Sequence, residues 1–297
     1  MKSTRREFIA RAAGIVTATG VLGAAGIGIG RAQSKKLRFG VGPLLPNPED
    51  TKKAYMPLFT HLAKQLGAEF DLVATTDWAG MAVAMGSGQL DLAWMGPWGY
   101  IIANNSTGCK AVATVKYDEK PTYLAIVIAR PDLTVENFPN DSKGMSISFA
   151  DVGSTSGWLI PTYYAKEVWK IDPKAFWKYT EGATHAANEI AVSARQVDMA
   201  TDFDRNRTAM VESGKVKADS NKIVWTSAPL PNDAIVLPKD APAEMAQRVQ
   251  KILTAITQEQ AKTLLPNHYT GFIASSHDYY APIEKAGIAV GKIKPKT

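Results

Sequence analysis

The sequence predicts an α/β protein of two lobes, each a mixed or parallel sheet flanked by helices, with a ligand cleft between the lobes. Three observations lead there. Short β-type runs alternate with apolar residues at helical spacing, which is the rhythm of βαβ units. The roughly 265 residues after an N-terminal leader exceed the size at which one core keeps growing. A fragment also recurs: "VAMGSGQLDLAWMG" parallels "AVSARQVDMATDFD", with Gln89, Asp91 and Ala93 matching Gln196, Asp198 and Ala200. Chance can produce so short a match, and so can two lobes of like construction. In open α/β sheets ligands bind beyond the carboxyl ends of the strands. That puts "MGPWGY" and "TDFDRN" on opposite walls of one cleft.

The elements follow in order. "KLRFGVG" reads as a strand, and "TKKAYMPLFTHLAKQLG" as a helix with Tyr55, Leu58, Phe59, Leu62 and Leu66 on one face. "EFDLVA" is the next strand. "DWAGMAVAMGSG" is a short helix with Asp77 as its cap and Gly86 or Gly88 as its end. "LDLAWM", "AVATV", "TYLAIVIA" and, after a loop, "MSISF" are further strands. The turn "ADVGSTS" then leads into the helix "GWLIPTYYAKEVWK". Proline is tolerated in the first turn of a helix, so Pro161 places the helix start within a few residues before it. Chain crossings are expected near residues 121–124 and 227–231. They give one lobe of residues 33–122 plus 230–297 and a second of residues 123–229.

Residues 1–32 read as a bacterial export signal: a basic start, a long small-apolar stretch and a cleavage site after Ala32. The pair Arg5-Arg6 resembles the twin-arginine address. An uncleaved membrane anchor is the competing reading, but the stretch is rich in Gly and Ala and would insert weakly. The chain carries 34 basic and 28 acidic residues. Lys2, Arg5, Arg6, Arg11 and Arg31 lie in the leader against Glu7 alone, so the remainder is close to neutral. A nucleic-acid partner needs a basic surface excess, and none is visible.

"VGSTSGW" carries three consecutive hydroxyls, Ser154, Thr155 and Ser156, between two glycines at a helix start. One hydroxyl suffices to cap a helix. Helix N-termini also bind anions, because free N–H groups and the positive end of the macrodipole point the same way. The stretch alone leaves cap and anion site open; its position above a strand end favours the anion site.

Enzymatic constellations and cofactor motifs do not stand out. His61, His185, His268 and His277 show no metal-ligand spacing, and Cys109 is alone and reads as a small buried hydrophobe. "GSTSG" has Thr155 where a nucleophile elbow needs serine. No phosphate loop or dinucleotide fingerprint occurs. The expectation is a binding protein without cofactor or metal. A secreted hydrolase using Ser154 or Ser156 with His185 is the enzymatic alternative, and it has no clear orienting acid.

With export signal, two lobes and a hydroxyl-rich helix start in place, the chain resembles the phosphonate/phosphite/hypophosphite-binding proteins of ABC importers. "TTDWAGMAVAMGSGQLDLAWMGPWGY", "KPTYLAIV", "GSTSGWLIPTYYAK", "HAANEIAV", "QVDMATDFDRNR" and "LPNDAIV" carry the resemblance, in that family's order and spacing. It implies a type II periplasmic-binding-protein fold and a monomer that delivers a small phosphorus oxyanion to a membrane permease. It further implies that Ser154, Thr155 and Ser156 take the oxyanion, that Trp78 and Tyr123 line the pocket, that His185 touches the ligand oxygens and that Asp233 closes the site. Trp78 or Tyr123 as core, and Asp233 as the cap of a strand turn, are the alternatives.

One departure from the family is informative. Members that bind 2-aminoethylphosphonate carry a glutamate shortly after the "VDMAT"-like strand, where this chain has Arg205 beside Asp204. A cation there repels an ammonium group. The expected ligand is therefore phosphite, hypophosphite or a small alkylphosphonate such as methylphosphonate; phosphate or an aminoalkylphosphonate is the alternative. An aspartate in the pocket repels a full dianion, and Trp78 offers an apolar wall to a P–H or P–CH₃ group.

Overall fold

The computed structural model describes residues 36–295 apart from Pro46, so the expected export signal lies outside the described residues. A six-stranded sheet is built from β1 (Leu37–Val41), β2 (Phe70–Ala74), β3 (Leu92–Met95) and β4 (Lys110–Tyr117), joined late in the chain by β12 (Ala234–Leu237) and β13 (Tyr269–Ala274). Its order is β13-β4-β12-β3-β1-β2. A five-stranded sheet, β10-β6-β9-β7-β8, takes β6 (Ala125–Ala129), β7 (Ser146–Ala150), β8 (Lys178–Ala183), β9 (Met199–Phe203) and β10 (Lys222–Thr226). Between them the short β5 (Thr122–Tyr123) and β11 (Leu230–Pro231) pair as an antiparallel ribbon. The run "TYLAIVIA" is thus two strands, broken at Leu124, whose N–H donates to Asp204 Oδ1 at 3.2 Å.

Both sheets are mixed. β1 runs parallel to β2 and β3, β7 runs parallel to β8 and β9, and the strands beyond them are antiparallel. The recurring fragment has the same place in each. Asp91, just before β3, accepts from Arg38 N–H at 2.9 Å at the start of β1. Asp198, just before β9, accepts from Ser146 N–H at 2.9 Å at the start of β7. Each aspartate also pairs with an arginine, Arg38 or Arg130. The same carboxylate pins the neighbouring parallel strand in both sheets.

Helix α1 (Pro48–Leu66) starts on the Asn47 side chain and ends at Gly67 in the left-handed region, φ 70°. Tyr55, Leu58, Phe59 and Leu62 bury against the first sheet with Phe39, Trp94 and Ile235; Leu66 is only half-buried. α2 (Trp78–Gly86) is capped by Asp77, whose carboxylate accepts from Gly80 N–H. α3 (Pro97–Thr107) leaves the end of β3. The helix after β7 starts at Thr155 but is not regular. α4 (Ile160–Tyr163) is flanked by wide π-type turns, Thr155–Leu159 and Tyr164–Val168. Pro161 lies deeper than a first turn, and its missing N–H deprives the Gly157 carbonyl of its regular helical donor. Thr201 Oγ1, from β9, donates to that carbonyl at 2.6 Å instead. The remaining helices are α5 (Pro173–Phe176), α6 (His185–Ser193), α7 (Asp204–Glu212), α8 (Ala243–Thr254), α9 (Gln258–Leu264) and α10 (Ala281–Ala289). No helix of the described residues is long and apolar enough to cross a membrane.

Candidate oxyanion site

Ser154 is the N-cap: its Oγ accepts from Gly157 N–H at 3.1 Å and lies 2.9 Å from His185 Nε2. The Thr155 hydroxyl accepts from Trp98 N–H at 2.8 Å, at the start of α3. Thr155 and Ser156 both neighbour the Tyr123 hydroxyl. All three hydroxyl residues are nearly fully buried. The flanking glycines are required by close approach. A Cβ on Gly157 would meet His185 Cε1 at 2.7 Å, and one on Gly153 would meet the backbone of Ala79 at 2.4 Å.

These residues open onto a cavity of about 30 Å³. A site needs roughly 10–15 Å³ on this measure for one water, so only a compact ligand fits. Its lining holds Trp78, Tyr123, Ser154, Thr155, Ser156, His185 and Asp233, and also Leu44, Gly96, Phe203, Arg205, Asn232 and Tyr269. All seven candidate residues are brought together, and no described one is left elsewhere. Trp78 is wedged against glycines: a Cβ on Gly42 would stand 2.2 Å from its ring. Its N–H and that of Ala79 donate to Asp151 Oδ1, at 3.1 and 3.2 Å, across from the loop after β7.

The cavity pairs opposite charges. Asp233 accepts from Trp94 Nε1 at 2.9 Å, and burial raises its pKa to about 6 although that bond, Arg205 and His185 pull it down. Arg205 donates from Nη2 to Thr122 O at 2.5 Å, and its guanidinium lies 4.4 Å from the Tyr117 ring centroid. His185 is held neutral: burial depresses its pKa to about 4 against the pull of Asp151, Glu189 and Asp233.

Behind His185 lies a group that sequence reasoning missed. Asp202 Oδ1 is 2.9 Å from His185 Nδ1, an orienting acid where none was evident. The contact is short but poorly aligned, and Nδ1 makes no hydrogen bond. Asp202 is instead bound by Asn206 Nδ2 through both oxygens, at 3.1 and 2.9 Å. Glu189 lies beside it, fully buried, with Oε2 accepting from Asn221 Nδ2 at 2.6 Å and no donor reaching Oε1. Burial pushes both carboxyls upward, and Asp202 raises Glu189 further while Glu189 lowers Asp202, so a proton carried on Glu189 toward Asp202 satisfies the otherwise bare oxygen. Asp202 falls in "TDFDRN", but nothing in the sequence marks its pairing with Glu189, because the two come from β9 and α6 and their partners from α7 and the loop before β10. Arg205 and Phe203 had a signal: both fall in "TDFDRN", which the strand-end rule places on a cleft wall. Among the described residues, no group of three or more His, Cys, Asp or Glu could hold a metal ion.

Comparison with known proteins adds to this geometry. A family model described as "ABC transporter, phosphonate, periplasmic substrate-binding protein" matches residues 44–280. The phosphonates-binding periplasmic protein of Escherichia coli (strain K12) is 28% identical over 263 residues, 86% of this chain and 77% of the relative. The phosphate-import protein PhnD of Mycolicibacterium smegmatis is 32% identical over 192 residues, 61% of this chain and 60% of the relative. A binding-protein component of an ABC phosphonate transporter from Pseudomonas aeruginosa superimposes with a TM-score of 0.78 at 24% identity, covering 86% of this chain and 87% of the other. PhnD1 of Prochlorococcus marinus, solved with methylphosphonate, gives 0.76 at 18% identity over 87% and 99%. These two structures share the fold.

Proposed function

The chain belongs to the phosphonate-binding family of periplasmic substrate-binding proteins of ABC transporters, and we propose that its ligand is a small phosphorus oxyanion without an amine. The observation that carries this is the size and charge of one cavity: about 30 Å³, with a buried guanidinium and a buried carboxylate on its walls. In this reading Ser154, Thr155, Ser156 and His185 surround the P–O groups, with charge-assisted bonds worth roughly 1.5–3 kcal/mol each. Tyr123 and Trp78 wall the P–H or P–CH₃ side, and Asp233 repels the further oxygen that phosphate would carry there. Residues 33–122 plus 230–297 and residues 123–229 form two lobes that close about the β5–β11 ribbon. The protein acts as a monomer, leaves the cytoplasm by the twin-arginine route and is not an enzyme. Ser154 serves as a cap and ligand contact, since its supposed relay ends in a carboxylate already taken by Asn206 and Glu189.

Titration calorimetry on the protein without its leader tests this. At least one of phosphite, hypophosphite and methylphosphonate should bind with a Kd of about a micromolar or tighter. Phosphate should bind at least about tenfold more weakly, a difference of roughly 1.4 kcal/mol. Equal or better phosphate binding would instead favour a second reading, phosphate itself, for which the name of the mycobacterial relative speaks.

A further inference from the structure

Arg205 stands between two cavities. On one side is the small oxyanion chamber; on the other is a cavity of about 390 Å³. Leu44, Phe203, Arg205 and Tyr269 line both. The larger cavity is walled chiefly by Tyr55, Tyr117, Leu45 and Met210, with Glu212 and His268 toward its polar side, 3.1 Å apart. It has ample room for an aryl or alkyl group.

The partition is rigidly held at Arg205. Asp204 Oδ1 accepts from both Leu124 N–H and Arg205 N–H, at 3.2 and 3.0 Å, which ties the first turn of α7 to the strand ribbon. The guanidinium is anchored on Thr122 O and lies over Tyr117, with Tyr123 5.4 Å away on the chamber side. Only 7% of the residue is exposed. Arg–aromatic stacking and a carbonyl anchor together resist the swing that would join the two cavities.

We infer that Arg205 determines ligand size, as the wall that keeps a phosphorus substituent too large for the small chamber from extending into the larger cavity. This rests on the phosphorus-oxyanion reading of the small chamber. Specificity is a difference of affinities, and a wall that clashes with the wrong ligand supplies it. Removing the wall should therefore admit ligands that the native protein refuses, an outcome that misfolding cannot imitate.

The experiment compares methylphosphonate with phenylphosphonate by calorimetry on wild type, Arg205→Ala and Arg205→Met, with melting curves for each. Wild type should prefer methylphosphonate by about 100-fold or more. Arg205→Ala should narrow that gap at least about tenfold and bind phenylphosphonate more tightly than wild type does. Arg205→Met keeps the bulk and loses the charge, so both affinities should fall in parallel with the gap retained. A wild-type gap that persists in Arg205→Ala overturns the inference, as does an Arg205→Met protein that opens equally. A wild type that binds methylphosphonate and phenylphosphonate alike also overturns it. If wild type binds neither phosphonate nor phosphite, the underlying reading falls first and takes the wall with it.

Discussion

Ser154 and Ser156 are two residues apart, and their environments assign them different tasks. Ser154 caps the Gly157 amide, so Ser154→Ala should cost about 1 kcal/mol of stability. Ser156 faces the cavity and Tyr123. Ser156→Ala should lower ligand affinity roughly 10- to 150-fold, the equivalent of one charge-assisted bond, while ligand-free melting hardly moves. Unchanged affinity in Ser156→Ala would return the turn to the role of a plain cap. Asp233 supplies a pH test. Its burial-raised pKa of about 6 means that above pH 6 a carboxylate lines the site and repels a fourth oxygen on phosphorus, which methylphosphonate replaces with a methyl group, and below it a neutral acid can donate to that oxygen. Phosphate affinity relative to methylphosphonate should rise as pH falls through about 6 in wild type. In Asp233→Asn the ratio should already be high at pH 8 and stay flatter. Identical pH profiles in the two proteins would remove Asp233 from the discrimination.

Helix starts are the elements on which the two sheets meet. Asp151, at the end of β7, accepts from the first amides of α2 and from Gly153 N–H at 3.0 Å; Thr155 accepts from the start of α3. A carboxylate at a helix N-terminus gains from the macrodipole as well as from the bonds. Asp151→Ala should therefore weaken every ligand by a similar factor, on the order of tenfold, measured as parallel shifts in Kd for phosphite and methylphosphonate. A loss confined to one ligand would contradict a closure role. The regular elements were legible in the sequence because burial on one face imposes a period, as at Tyr55, Leu58, Phe59 and Leu62. Of the candidate residues, only the Ser154–Ser156 turn was read from its place at a strand end and helix start; Trp78, Tyr123, His185 and Asp233 came through the family resemblance. The wide turns around Pro161 were not, since they depend on Thr201 reaching the Gly157 carbonyl from another strand. Asp151 and the pairing of Asp202 with Glu189 were equally hidden: an acid in a sequence says nothing about which amide or carboxyl it will face.

At the scale of the whole molecule, side chains and backbone of the loop after β7 bond to the helices that follow the first sheet's strands. Trp78 and Trp98 lie on that seam, Trp98 Nε1 donating to Val152 O at 3.2 Å. Ligand addition to the free protein should change tryptophan fluorescence and reduce the radius of gyration by scattering. Tight binding with neither change would argue against hinge closure. The bond between Thr155 and Trp98 has a kinetic side as well. The hydroxyl turn proposed to hold the ligand is also the clasp of the seam, so on that proposal escape must break the clasp. Residence time is then set by the seam, and affinity by the chamber. A permease that pries α2 and α3 from Asp151 and Thr155 can hurry release without ever competing for the oxyanion.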